Sequence, residues 1–189
     1  MKYDKIVAMN QEKSRKKVDV AKREMKKIKE NAERGYTHAV ALDLSKYFDT
    51  LNHEKLLNLL RRDIKDERVI QWIKRYLKSG VMENGVVMET EEGSPQGGNI
   101  SPLLANIYLN EFDQEYEKRG VKFVRYADDI VLLAKSDRAA KRLLETSTKY
   151  LEGTLKLKVN QEKSRVVSVR VYARVAELLW DCRYEEENR

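Results

Sequence analysis

The pattern of apolar and polar positions divides the 189-residue chain into helix-like and strand-like stretches. Between Ser14 and Arg34 there is neither proline nor glycine, and Val18, Ala21, Met25, Ile28 and Ala32 recur at steps of three and four. That spacing predicts an amphipathic helix with a basic back, closed by Gly35. Residues 37–44 (THAVALDL) read as a buried strand with Asp43 near its end. Two helices follow, over 53–62 with Leu56, Leu57 and Leu60 inward, and over 66–78 with Val69, Ile70, Ile73 and Leu77 inward. Asn84-Gly85 between two short apolar runs predicts a hairpin within 81–92.

The glycine-rich stretch 93–99 (GSPQGGN) reads as a loop, and Ser101-Pro102 as an N-cap with proline at the first helical position. The helix they open runs to Lys118, with Leu104, Tyr108, Phe112 and Tyr116 four apart on one side. Residues 121–134 (VKFVRYADDIVLLA) read as two strands joined at Ala127-Asp128-Asp129. Asp137 is placed to cap a helix over 138–152, which turns Leu143, Leu144, Tyr150 and Leu151 inward. Strands are expected at 155–159 and 165–171 around a turn at Asn160–Lys163, and a short helix around Val175, Leu178 and Leu179. Strands joined by tight turns, mixed with helices and lacking a repeated βαβ series, predict an α+β fold: a mostly antiparallel sheet backed by helices on one face. The hexapeptide NQEKSR occurs twice, at 10–15 and 160–165, which points to a duplicated strand-turn piece or a rearranged chain.

Composition narrows the classes. One cysteine, Cys182, excludes a disulfide scaffold, and with only His38 and His53 beside it no Cys/His zinc cage can form. No run approaches eighteen apolar residues and the first residues form no apolar leader, so the expectation is a cytoplasmic protein without a membrane partner. The net charge is +7, but residues 1–35 carry 12 Lys/Arg against 6 Asp/Glu, so nearly all the surplus lies there. A basic segment suits a polyanion such as nucleic acid, and equally a solvated helix face.

Asp128 and Asp129 are adjacent between apolar strand residues, and two like charges at a hairpin tip repel unless a cation neutralises them. Asp43 sits in the same kind of setting on another strand; if the two segments are neighbours, three carboxylates converge at one edge of the sheet. Hard oxygen ligands without histidine or cysteine select Mg²⁺ or Mn²⁺, and a pair of such ions is a device for phosphoryl transfer. The alternative is a plain polar turn.

Three stretches resemble the motifs of reverse transcriptases. Tyr126-Ala127-Asp128-Asp129 resembles their YxDD box, and ALDLSKYFD at 41–49 resembles their first catalytic motif. GSPQGG at 93–98 followed by SPLLANI at 101–107 is similar to their nucleotide-pocket motif. The wording of that stretch, with FDTLNH at 48–53, is similar to group II intron-encoded reverse transcriptases, or maturases. The resemblance covers roughly residues 36–167 and implies a palm domain with a ferredoxin-like core over 36–170. A basic segment at 1–35 would pack on it, and a tail would occupy 171–189.

The resemblance implies site roles as well. Asp43 and Asp128 would bridge the metal ions, Asp129 would assist, and Leu44 would lend its backbone carbonyl to a metal. Phe48 would lie under the sugar and select deoxynucleotides, while Gln96 and Gly97 would contact the incoming nucleotide in a loop whose glycines permit close backbone approach. Lys163 matches the lysine of a fourth motif, a proton donor to departing pyrophosphate. Tyr126 and Arg125 would rest against primer or template, whereas His53 reads as a residue near a helix cap. The partners so implied are an RNA template, a DNA primer, deoxynucleoside triphosphates and structured intron RNA. Neither the fingers that clamp the triphosphate nor the helical thumb is recognised in this sequence. The rival readings are a non-catalytic RNA-binding module and a rearranged palm without activity.

Overall fold

A computed structural model describes residues 23, 26–79, 81–83, 86–88, 92–95 and 98–169. The described part of the first helix, α1, spans 26–33, and β1 (His38–Leu42) follows it. A 3₁₀ turn at Tyr47–Asp49 leads into α2 (His53–Asp63) and α3 (Glu67–Lys78), and the short strands β2 (Val81–Glu83) and β3 (Val86–Met88) pair as a hairpin. Next come α4 (Ser101–Lys118), β4 (Lys122–Tyr126), β5 (Asp129–Ala134), α5 (Asp137–Lys149) and β6 (Arg165–Ser168).

Strands β1, β4, β5 and β6 form one antiparallel sheet in the order β4-β5-β1-β6. With α4 and α5 as crossovers, this is the βαββαβ arrangement of a ferredoxin-like core, in agreement with the expected α+β class. Alternation along the strands sorts the side chains into two layers. Val40, Leu42, Ile130, Leu132 and Ala134 pack on the helices, meeting Leu56 and Leu60 of α2, Ile70 and Leu77 of α3, and Leu104, Tyr108, Phe112 and Tyr116 of α4. The four α4 residues all lie inside because their spacing keeps them on one stripe. Phe112 stacks on Tyr116 at 4.2 Å between centroids and meets Phe123 edge-on at 6.2 Å. On the opposite face Ala39, Val124, Val131 and Leu133 are covered by Ile28, with Ala32 alongside, so α1 lies against the sheet.

Four expectations need correction. The predicted strand at 155–159 is reduced to one bridge, Leu44 to Val159. Its start is absorbed by a π turn over Tyr150–Thr154, where the Leu155 N–H reaches back to the Tyr150 carbonyl at 3.1 Å, and Lys156 then takes φ 57°. That π turn also ends α5 at Lys149, short of the expected residue 152. Asp137 is not the cap of α5: Ser136 is, its Oγ accepting the Ala139 N–H at 3.3 Å, while Asp137 pairs with Lys141 inside the first turn. Ser101 is the first helical residue and not the N-cap, because its hydroxyl is engaged with Tyr76, Ser94 and Pro95. The expected turn at Asn84-Gly85, the tail helix near Val175 and the first NQEKSR lie outside the described residues.

Candidate active site

Two tips of the sheet meet at one end. In the β4–β5 hairpin Tyr126 pairs with Asp129, which leaves Ala127 and Asp128 as a two-residue turn. The adjacent aspartates are thereby split: Asp128 sits in the turn and Asp129 heads β5, exposed. Ala127 takes φ 53°, a conformation that favours glycine at the first position of such a turn. The β1–β5 ladder ends at Leu42–Ile130, so Asp43 and Asp129 are each the next residue beyond its last pair, at the same end of the sheet.

The other flank of β1 orients the backbone here. The Asp43 N–H donates to Ser164 Oγ at 3.1 Å and its carbonyl accepts the Asn160 N–H at 2.9 Å. Both bonds face the β6 side. Successive strand residues present their backbone groups to opposite edges, so the Leu44 carbonyl turns toward the hairpin tip. The Leu44 side chain is buried in the main core and anchors the segment.

Arg125 was expected against nucleic acid, and the structure places it elsewhere. Its guanidinium donates to both carboxylate oxygens of Asp113 on α4, at 2.9 and 3.0 Å from Nε, to Asn106 Oδ1 at 3.0 Å and to the Ala127 carbonyl at 2.8 Å. The two charged side chains are only 13% and 19% exposed. Arg125 is an internal brace that ties the turn bearing Asp128 to α4. Sequence reasoning missed Asp113, and the only available signal was an acidic residue near the α4 core stripe.

A second group forms around the 3₁₀ turn. Phe48 is half-buried and tilts against Tyr47 at 5.5 Å between centroids. Its carbonyl accepts the Ser94 N–H at 2.7 Å, the Leu51 carbonyl accepts the Gly93 N–H at 2.8 Å, and Asn52 bridges Glu92. Gly93 has φ +90°, and a Cβ there would lie 3.0 Å from the Asp49 carbonyl oxygen, so only glycine brings the loop this close. His53, expected near a cap, is buried as the first residue of α2, with Nε2 2.6 Å from the Gly93 carbonyl oxygen; it clamps the loop. Farther on, the Ser101 hydroxyl lies 2.7 Å from Tyr76 Oη and donates to the Pro95 carbonyl at 2.7 Å. A Cβ on Gly98 would fall 1.7 Å from Tyr76 Oη. Gln96 and Gly97 lie outside the described residues, but both ends of their loop are fastened beside Phe48 and at the start of α4.

Lys163 follows the Asn160 turn, with Nζ 4.0 Å from Asp43 Oδ2, itself one-third exposed. Tyr126 is half-buried at the end of β4. Burial holds the Tyr47 phenol far above its ordinary range, with Asp128 among the charges that add to the rise and Arg125 opposing it. The tyrosine therefore stays neutral, its hydroxyl donating to the Ala105 carbonyl.

The donors at this end are all hard oxygens, the chemistry of Mg²⁺ or Mn²⁺. Among the described residues no three His, Cys, Asp or Glu side chains gather closely enough to hold an ion by themselves. An ion here would take two carboxylates and complete its shell with backbone, water or phosphate oxygens, as Mg²⁺ commonly does.

The reverse transcriptase (RNA-dependent DNA polymerase) family profile matches residues 2–182. The chain belongs to the reverse transcriptase family. The match extends beyond the 36–167 stretch that carries the motifs, and takes in α1 and the region before it. Protein YkfC of Escherichia coli strain K12 is 35% identical over 161 residues, covering 67% of this chain and 42% of YkfC. Group II intron-encoded protein LtrA of Lactococcus lactis subsp. cremoris is 35% identical over 125 residues, covering 66% of the chain and 20% of LtrA. The chain thus spans less than half the length of these relatives. In fold, it is similar to an apo telomerase from Candida tropicalis truncated from the C-terminal domain, with a TM-score of 0.61 at 16% identity over 79% of this chain and 35% of that one. No helix among the described residues is long and apolar enough to cross a membrane.

Proposed function

We propose that this chain is the palm of a group II intron-type RNA-directed DNA polymerase, which extends a DNA primer on an RNA template from deoxynucleoside triphosphates. The observation that supports it best is the β1–β5 pairing, whose last pair, Leu42–Ile130, leaves Asp43 and Asp129 as the next residue on each strand, with Lys163 Nζ 4.0 Å from Asp43. Asp43, Asp128 and the Leu44 carbonyl would hold Mg²⁺ or Mn²⁺, with Asp129 assisting. Bound divalent ions supply charge neutralisation of the triphosphate and activation of the attacking oxygen.

The remaining work falls to the chain's own groups. Phe48 sets a flat wall for the sugar and leaves no room for a 2′-hydroxyl. Gln96 and Gly97 contact the nucleotide from the loop that His53 and Ser101 fasten. Lys163, whose Nζ lies 4.0 Å from Asp43 Oδ2, delivers a proton to departing pyrophosphate. Tyr126 lies against primer or template. Structured intron RNA is a further partner by the same lineage, and the site of action is cytoplasmic.

The test is primer extension on an RNA template with Mg²⁺, against a chelator control. Asp128→Asn should abolish extension while leaving the thermal melt intact; extension that persists at the wild-type rate removes the catalytic assignment.

A further inference from the structure

Trp72 on α3 is 67% exposed, more than any other large apolar side chain among the described residues. Helix α3 buries Ile70 and Leu77 and half-buries Val69, Ile73 and Tyr76, which already satisfies its inward stripe. Trp72 lies at the border of that stripe, and residues three and four away share its side of the helix. They are Arg68, Val69, Arg75 and Tyr76. The Arg68 side chain is 86% exposed, and Asp66 holds its guanidinium in a fixed fork at 2.8 and 3.1 Å. Arg75 is exposed and makes no ion pair among the described residues.

This surface borders the start of α4. Tyr76, one turn on from Trp72, lies 2.7 Å from the Ser101 hydroxyl. Beside Ser101, Leu103 is 61% exposed and Ile100 is 37% exposed. An exposed indole on a helix side that also carries an arginine one turn before it, paired with Asp66, and a second arginine three residues after it matches the recognition of unpaired nucleobases. The rings stack on base faces and the cations follow the phosphates. The arginines favour a polyanion over an uncharged apolar partner, and a duplex would hide the base faces that a ring can stack on.

We propose that Trp72, Arg68 and Arg75 form a stacking platform for single-stranded RNA, outside the carboxylate site and next to the loop that leads to it. That the bound strand is the template rests on the function proposed above; the binding itself does not.

The probe is a fluorescently labelled oligouridylate of about 12 nucleotides, titrated into the full chain with a chelator present and read by anisotropy at about 50 and 200 mM salt. Trp72→Ala and Trp72→Leu should each weaken binding roughly five-fold or more, and Trp72→Phe should retain most of it. Arg75→Ala should weaken binding and lower the salt slope by about one. Circular dichroism melts equal to wild type establish that these surface variants fold.

Wild-type RNA affinity in Trp72→Ala overturns the platform, and so does affinity retained in Trp72→Leu, since a merely apolar cover would then suffice. A variant that changes self-association without changing RNA affinity also overturns it, by marking the face as a protein contact. Asp128→Asn should bind the probe like wild type. Loss of extension in that variant with unchanged binding in Trp72→Ala would sink the platform alone. The reverse pair of results would sink the catalytic assignment alone.

Discussion

Replacing Asp113 with alanine would leave the Arg125 guanidinium nearly enclosed without its counter-charge. In the intact protein Arg125 is 13% exposed and donates to both oxygens of Asp113, while also holding Asn106 and the Ala127 carbonyl. Removing one partner of a pair this buried costs about 3–5 kcal/mol, because the remaining charge has lost both water and its partner. For a chain of this size that is a fall of roughly 6–20 °C in melting temperature, at about 2–4 °C per kcal/mol. The assay is a thermal melt followed by circular dichroism in chelator, so that no metal contributes. The double variant Asp113→Leu with Arg125→Met should recover most of the loss, since an apolar pair of similar volume needs no counter-charge. The brace is refuted if Asp113→Ala melts within about 2 °C of wild type, or if the double variant is no better than the single one.

Two further outcomes are expected. The burial of Tyr47 and Tyr108 raises both phenols above their ordinary 10.0, so the folded state keeps protons that the unfolded chain releases above about pH 10. Their contribution is complete below that pH and lost as pH rises past it; alkaline melts should show a steep decline that Tyr47→Phe makes shallower, and an unchanged slope would count against it. At the carboxylate turn, Ala127→Val should lower the melting temperature and Ala127→Gly should not, because φ 53° is strained for a β-branched residue and open to glycine. Equal melts for the two variants would show that the turn relaxes.

Much of the fold was legible because its signals are local. The four-residue spacing of Leu104, Tyr108, Phe112 and Tyr116 reports a buried helix stripe whatever the topology, and all four are buried. The hairpin carrying Asp128 and Asp129 was legible too, since apolar runs flank a short polar break. The strand expected at 155–159 failed because alternation alone cannot reveal that Leu155 closes a π turn onto Tyr150. Ser101 was misread for a related reason: its hydroxyl serves Tyr76 on α3 and Ser94 and Pro95 in the loop just before it, contacts that a capping pattern does not report.

The candidate site was legible where it rests on motifs and obscure where it rests on support. Asp43, Asp128 and Lys163 reach one end of the sheet through register and a turn. The residues that secure the glycine loop and the carboxylate turn were not visible. His53 reaches a carbonyl forty positions away, and Arg125 reaches an aspartate on another element. Such bonds leave no periodic trace in a single sequence.

Helix α4 carries two anchor points on one rod. Ser101 at its first turn fastens the glycine loop, and Asp113, twelve residues on, fastens the carboxylate turn. At about 1.5 Å per residue the two anchor points stand roughly 18 Å apart along a common axis. One inserted residue between them would rotate one anchor against the other by about 100° and disconnect it from its load. The length of this strut is therefore a gauge, and an addition or deletion within it would throw the loop and the turn out of phase together.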